Sequence, residues 1–152
     1  MSARDPAELE FALKRTFYYE LWMMGETLAR LAQPEKIPDQ VFANALIESF
    51  CTHARSLLEF FGCWGRGPSV KAKEYFNGTY QAQQTLAISE DLLKKLHEQI
   101  AHMSGSRHQA VKINPADRVT LYNALYDEAL HFQSLFPPGE RPALPPRMSF
   151  AR

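Results

Sequence analysis

Residues 51–62 read CTHARSLLEFFG, and they lie inside a longer apolar run that decides the fold of this chain. At about 100° per residue, the spacing places one set of apolar side chains on a single helix face. This set comprises Leu46, Phe50, Ala54, Leu57 and Phe61. The stretch therefore predicts a helix from about Pro38 to Phe61. His53 lies at the flank of its buried face and Arg55 on the far side, so we expect them to be two separate features.

Three further segments show the same three- and four-residue apolar spacing. The first covers about residues 6–32, the third begins at Ser89 and ends near Gly105, and the last covers about residues 115–136. Pro6 and Pro115 each follow a capping residue, which is typical of helix starts. No run alternates apolar and polar residues for long enough to predict a strand.

The predicted fold class is all-α, an up-and-down bundle of four long helices with short extra turns between helices 2 and 3. Residues 68–88 contain those turns, with a short helical turn expected near 71–76. Residues 1–136 are predicted to be a single helical domain. Residues 137–152 form a proline-rich C-terminal tail, which we expect to be extended and either mobile or draped over a surface.

Charge and cysteine content exclude several classes of protein. The 152 residues include 17 basic and 17 acidic side chains, which argues against strong nonspecific binding of nucleic acid. Zero net charge fits a protein that associates with itself or a partner, most simply as a homodimer. Cys51 and Cys63 are too few for a disulfide framework and are expected to be reduced. The N-terminal region has no apolar signal core and no long apolar run follows, so we expect a cytoplasmic location and no membrane span.

Arg55 has two interpretations. One is a solvated ion pair with Glu59, one helical turn away, which contributes only a few tenths of a kcal/mol. The other follows from the low charge of this helix, which suggests cover on more than one side. Arg55 would then be a buried guanidinium held by Glu48 and Glu59, or a group that binds an anion. For His53, the simplest expectation is a histidine at the edge of the core, with one ring nitrogen near a backbone carbonyl.

A second polar cluster lies in IAHMSGSRH, residues 100–108. His102 falls in the last turn of the third helix, where the helix dipole favours a positive charge. Arg107 follows a glycine and can fold back on the helix end. The cluster is either a C-terminal cap or a small basic corner suited to a phosphate or carboxylate.

Several catalytic and metal motifs fail on spacing. His97 and His102 resemble the paired histidines of zinc proteases, but they are five residues apart and diverge by about 140° on a helix. The glycine-rich run 62–67 follows a helix and lacks the Lys-Ser/Thr of a phosphate-binding loop. The chain has no CxxC pair and no nucleophile elbow. We predict no catalytic residues, no metal site and no cofactor.

Two stretches together carry a resemblance: ESFCTHARSLLEFF at 48–61 and AHMSGSR at 101–107. They resemble the pattern ESxxxHxRxLxxFF followed by AH(L/M)(S/T)xxR of a family of small, functionally uncharacterised bacterial all-helical proteins. The resemblance implies that Glu48, His53, Arg55, His102 and Arg107 form the ligand-binding set. Lys71 and Lys73 replace acidic positions of that family, which weakens any acid–base or metal role.

The chain is also distantly similar to HEPN helical bundles, which include dimeric ribonucleases and nucleotide-binding proteins of toxin type. Their signature is an arginine followed by a histidine on the same helix. No arginine of this chain has a histidine five to seven residues downstream, so the similarity implies architecture rather than a nuclease signature.

Three functional hypotheses follow. The first is a noncatalytic, homodimeric interaction or small-ligand module, whose polar cluster takes a small anion. The second is a HEPN-like, metal-independent ribonuclease in which His102 moves protons and Arg55 or Arg107 stabilises phosphate charge. The third is a metal site formed by His53, His102 and a glutamate. The sequence favours the first hypothesis and leaves the other two open.

Overall fold

The computed structural model describes residues 4–63, 65, 69–100 and 112–150. These residues form helices, turns and extended segments, and the described part of the chain contains no strand. The α-helices are α1 (Pro6–Phe11), α2 (Tyr18–Leu31), α3 (Gln40–Phe60), α4 (Glu90–Ile100) and α5 (Pro115–Ser134). A π-helical segment, Ala12–Phe17, joins α1 to α2 without a break. The predicted all-α class is confirmed, with four helical regions where four were expected.

The helix ends follow the capping residues seen in the sequence. Asp5 accepts a hydrogen bond from the backbone N–H of Ala7 at 2.9 Å. Asn114 and Asp117 form a reciprocal capping box, with distances of 2.8 and 3.1 Å. After α3, Gly62 adopts φ of 82°, a left-handed conformation that glycine allows at little cost.

An aromatic cluster forms one end of the core. Phe132 of α5 is fully buried at its centre. The rings within 6.2 Å of the Phe132 ring, centroid to centroid, are Phe17, Phe60, Phe61, Tyr75, Phe76, Tyr80 and Phe136. Most of these pairs are tilted or edge-on, the favoured geometry. The cluster therefore joins the π-helical segment, the end of α3 and α5 to the irregular segment at 69–88.

The segment between α3 and α4 has two short 3₁₀ helices, Ala72–Phe76 and Gln84–Ala87. The first is the short turn that the sequence predicts. Tyr75 of this turn donates a hydrogen bond to the carbonyl of Leu9 at 2.7 Å, which ties the segment to α1.

The proline-rich tail lies against the helices from Pro142 onward. Tyr126 of α5 donates a buried hydrogen bond to the carbonyl of Pro145 at 2.7 Å. The backbone N–H of Met148 donates to the Tyr122 hydroxyl at 2.8 Å. Tyr122 and Met148 pack closely over Gly25 of α2, where an added Cβ would lie 3.3 Å from Tyr122 and 3.4 Å from Met148. These hydrogen bonds hold the later part of the tail against α5, while residues 137–141 are exposed.

None of the helices in the described part of the chain combines the length and apolar character that crossing a membrane requires.

Candidate functional site

His53 of α3 pairs with Glu20 of α2. Nδ1 of His53 lies 2.6 Å from Oε2 of Glu20, and the two side chains are only 12% and 19% exposed. Because a carboxylate oxygen accepts, Nδ1 carries the proton of this hydrogen bond. The Tyr19 ring lies edge-on to the imidazole at 5.6 Å. The expectation of a core-edge histidine is met, but the partner is a carboxylate on another helix rather than a backbone carbonyl.

Arg55 pairs with Glu59, as the one-turn spacing predicts. Nε of Arg55 donates to Oε1 of Glu59 at 3.1 Å. The guanidinium side chain is 38% exposed and the Glu59 side chain 22%, so the pair is half-buried rather than fully solvated. Glu48 is exposed on the same helix. His53 and Arg55 pair with different carboxylates, in agreement with their separate positions on the helix wheel.

The carboxylate partners of His53 and Arg55 nevertheless share one surface. A groove of about 330 Å³ lies between α3 and the continuous helical region 6–31, which comprises α1, the π-helical segment and α2. Both Glu20 and Glu59 line it. We call it the acidic groove. Its lining residues are Glu8, Phe11, Ala12, Thr16, Phe17, Glu20, Ser56, Leu57, Glu59, Phe60, Ser69 and Val70.

The walls of the acidic groove combine three kinds of side chain. Phe17 and Phe60 are buried aromatic residues, and the lining also includes the hydroxyls of Thr16 and Ser56. Glu8 at the rim is paired with Arg4 at 2.6 Å. The groove thus presents apolar surface, hydroxyls and carboxylates, and each of its carboxylates is held by a basic side chain of the chain itself.

The π-helical segment supplies part of this groove. Ala12, Thr16 and Phe17 belong to the segment and all line the groove. A π-turn accommodates an additional residue and changes the direction of the side chains that follow. Such turns occur frequently at functional sites. The sequence analysis did not predict it.

The structure places only part of the predicted ligand-binding set. Glu48, His53 and Arg55 lie on α3, whereas His102 and Arg107 lie outside the described residues. Anion binding by the complete set therefore stays a prediction. Within the described residues, the groups that line the acidic groove are carboxylates and hydroxyls, which do not suit an anionic ligand.

Glu128 is a buried carboxylate that the sequence analysis did not predict. Its side chain is fully buried in α5. Oε2 accepts hydrogen bonds from the backbone N–H groups of Gln83, Gln84 and Thr85 at 2.9, 2.5 and 2.9 Å, and Oε1 accepts from the Tyr80 hydroxyl. Burial, together with this hydrogen bond, raises the pKa of Tyr80. The carboxylate thus holds the second 3₁₀ helix against α5, and its role is structural.

Both cysteines are free thiols. Burial raises the pKa of Cys51 to about 12 and also raises that of Cys63. Cys63 and the Thr85 hydroxyl are 2.9 Å apart and share a hydrogen bond. Because the thiolate is the reactive form, neither cysteine is activated as a nucleophile.

Across the described ranges, no three His, Cys, Asp or Glu side chains converge in a way that would hold a metal ion. The third hypothesis includes His102, outside those ranges, and so stays a prediction. Comparison with family models, curated proteins and solved structures finds no match to this chain. The resemblance to the bacterial helical family and to HEPN bundles is accordingly still an expectation from the sequence.

Proposed function

We propose that this chain is a noncatalytic helical module that binds a small ligand in the acidic groove. The observation that carries the proposal is that Glu20 and Glu59, on different helices, line one groove. His53 and Arg55 hold these carboxylates from outside the lining. Pockets with apolar walls and a few fixed polar groups are typical of small-ligand sites.

The polar groups that line the acidic groove indicate which kind of ligand it would bind. Each carboxylate is paired with a basic side chain through one oxygen, and its second oxygen favours a ligand that brings a cationic or hydrogen-bond-donating group. Phe11, an aromatic residue of the lining that is 64% exposed, suits an apolar body. A small amine with an aromatic or aliphatic body fits both features, whereas the anion expected from the sequence would belong to a different surface.

The noncatalytic interpretation is supported by the surroundings of His53. Its Nδ1 faces Glu20. No hydroxyl or thiol of the described residues forms a hydrogen bond to its Nε2. A nucleophile held by a base requires such a contact.

The alternative is a HEPN-like, metal-independent ribonuclease or nucleotide-binding protein of toxin type, and one feature favours it. A carboxylate at Nδ1 orients an imidazole and leaves Nε2 for proton transfer, which is the arrangement of a general base. This alternative predicts cleavage of single-stranded RNA in the presence of EDTA. A folded sample that leaves such RNA intact would exclude it.

We further propose that the four helical regions form an up-and-down bundle and that the protein is a homodimer. Exposed apolar side chains support self-association, including Trp22 at 40% and Phe42 at 45% exposure. Two free thiols, Cys51 and Cys63, suit a reducing compartment such as the cytoplasm. Sedimentation equilibrium tests the dimer, and a mass equal to one chain would refute it.

The ligand proposal can be tested by titrating ¹⁵N-labelled protein with three probes of similar shape and different charge: phenethylamine, 2-phenylethanol and phenylacetate. We expect phenethylamine to shift the amide signals of Thr16 and Ser56 and to bind most tightly. Glu20→Gln should weaken it about tenfold, the loss of one charge-assisted hydrogen bond. Glu35→Gln, an exposed glutamate outside the groove, is the matched control.

Equal binding of the three probes would contradict the charge preference. An absence of shifts at Thr16 and Ser56 with every probe would refute the acidic groove as a ligand site.

A further inference from the structure

A second cleft lies on the other side of Phe60, between the end of α3, the segment at 71–88 and α4. It has a volume of about 530 Å³. Lys71 and Lys73 both line it, and so do the hydroxyl-bearing residues Tyr80 and Thr85. We call it the lysine cleft. Unlike the acidic groove, the described part of its lining contains lysines and no glutamate or aspartate.

The ammonium group of Lys71 is the unusual feature of this cleft. Its Nζ atom is buried, and no hydrogen-bond acceptor of the described residues reaches it. A buried ammonium without a partner costs several kcal/mol, because its hydration is lost and nothing replaces it. A group of this kind calls for a partner, and a bound anion is one that would satisfy it.

The neighbouring carboxylates are occupied elsewhere. Both oxygens of Glu74 accept hydrogen bonds, Oε1 from the backbone N–H of Lys71 itself and Oε2 from Arg4, at 2.7 and 2.9 Å. Glu128 is buried and accepts hydrogen bonds from the Tyr80 hydroxyl and the Thr85 backbone N–H. Among the described residues, Lys71 therefore has no anionic partner, and it lies beside the cleft that it lines.

We propose that the lysine cleft binds a small organic oxyanion, a carboxylate or a phosphate ester with an apolar body. Lys71 supplies the buried charge, and Lys73, which is exposed, supplies a second positive charge. Phe61 and Ile88 are buried apolar residues of the lining and suit the body of the ligand. This site is independent of the acidic groove and has the opposite charge preference.

The test uses the full chain, ¹⁵N-labelled, with phenylacetate, phenyl phosphate and neutral 2-phenylethanol as probes. We expect one or both anions to shift the amide signals of Ala82 and Thr85 at millimolar concentration. In the parent protein, 2-phenylethanol should bind at least about tenfold more weakly, because it lacks the charge that Lys71 neutralises. The tighter of the two anions assigns the headgroup as carboxylate or phosphate.

Lys71→Met should reduce anion affinity about tenfold or more, whereas Lys71→Arg should retain it. Without probe, Lys71→Met should melt at the same or a higher temperature than the parent, since it removes an unpaired buried charge. Lys94→Met, an exposed lysine of α4 outside the cleft, is the matched control and should change neither property.

Anion affinity unchanged in Lys71→Met, or equal binding of 2-phenylethanol and the anions, would overturn the proposal. The comparison of charged and neutral probes needs only the parent protein, so it remains decisive if Lys71→Met does not fold. Amide shifts confined to Thr16 and Ser56 would instead place binding in the acidic groove.

Discussion

Replacing Glu128 is the most direct test of how this fold holds its irregular segment. The side chain is fully buried, and every donor that faces it comes from residues 80–85. Glu128→Ala removes the acceptor of the Tyr80 hydroxyl and of three backbone N–H groups. We expect it to be the most destabilising single substitution among the polar residues described.

The expected loss of stability depends on which of the four donors remain shielded from water when Glu128 is removed. The hydrogen bonds from the Thr85 N–H and the Tyr80 hydroxyl are buried, and each unsatisfied donor costs about 1–3 kcal/mol. Gln83 and Gln84 are exposed residues, so water can replace part of their loss. With the lost packing included, Glu128→Ala should cost about 3–6 kcal/mol. That is comparable to the whole stability of a small domain, which is about 5–15 kcal/mol.

Glu128→Gln gives a graded version of the same test. Its amide oxygen can still accept from the backbone, but its NH₂ group faces the Tyr80 hydroxyl, which then loses its acceptor. We expect a cost of about 1–3 kcal/mol, measured as a lower urea midpoint. Glu140→Gln, at an exposed position of the tail, should change the midpoint little. A Glu128→Ala protein within about 1 kcal/mol of the parent would refute the role assigned to these hydrogen bonds.

Three further predictions concern other contacts. His53→Ala should lower the free energy of unfolding by about 1–3 kcal/mol. In the His53→Ala protein, Glu20→Ala should cost less than it does in the parent, because the pair is already broken. Strictly additive losses in urea unfolding would contradict this. Stability should fall as pH rises above about 9, because unfolded Cys51 loses its proton while the folded thiol, with its pKa raised to about 12, keeps it. Cys51→Ala should reduce that alkaline slope by up to about 1.4 kcal/mol per pH unit, and parallel slopes for the two proteins would refute it. Tyr126→Phe should cost about 1–2 kcal/mol and speed proteolysis of the tail, since it removes the hydrogen bond to Pro145; unchanged proteolysis would show that this bond does not hold the tail.

The helices were predictable because local signals agree with one another. Asp5 and Asn114 lie before prolines and cap their helices as expected, and Gly62 ends α3. The up-and-down order and the dimer remain predictions, since periodicity fixes which face of a helix is buried but does not identify its neighbours.

The spacing of apolar residues contained a signal for the π-helical segment that the sequence analysis did not use. Leu9, Leu13, Phe17 and Leu21 repeat at a constant spacing of four. On a regular α-helix each such step drifts by about 40°, so the side chains would leave the buried face. The wider turn of residues 12–17 offsets this drift and keeps Phe17 and Leu21 in the core.

The sequence could indicate that Glu20 and Glu128 are at least half-buried, but it could not identify their hydrogen-bond partners. Glu20 lies three residues after Phe17, and Glu128 three residues after Leu125, so both occupy positions where the pattern of the helix calls for an apolar side chain. A charged residue at such a position signals a buried interaction. Its partner cannot be read from spacing, because His53 is 33 residues from Glu20 and Tyr80 is 48 from Glu128.

His53 and Arg55 therefore act in the same way despite facing apart on α3. Each fixes a glutamate, Glu20 or Glu59, and the two glutamates line one groove. The His53–Glu20 hydrogen bond holds α3 to α2 and also fixes a carboxylate of the groove, whereas the Arg55–Glu59 pair lies within α3 and fixes only its glutamate. Loss of His53 should thus lower stability and loosen the groove together, whereas Glu59→Gln, which keeps the shape of the side chain, should affect binding more than folding.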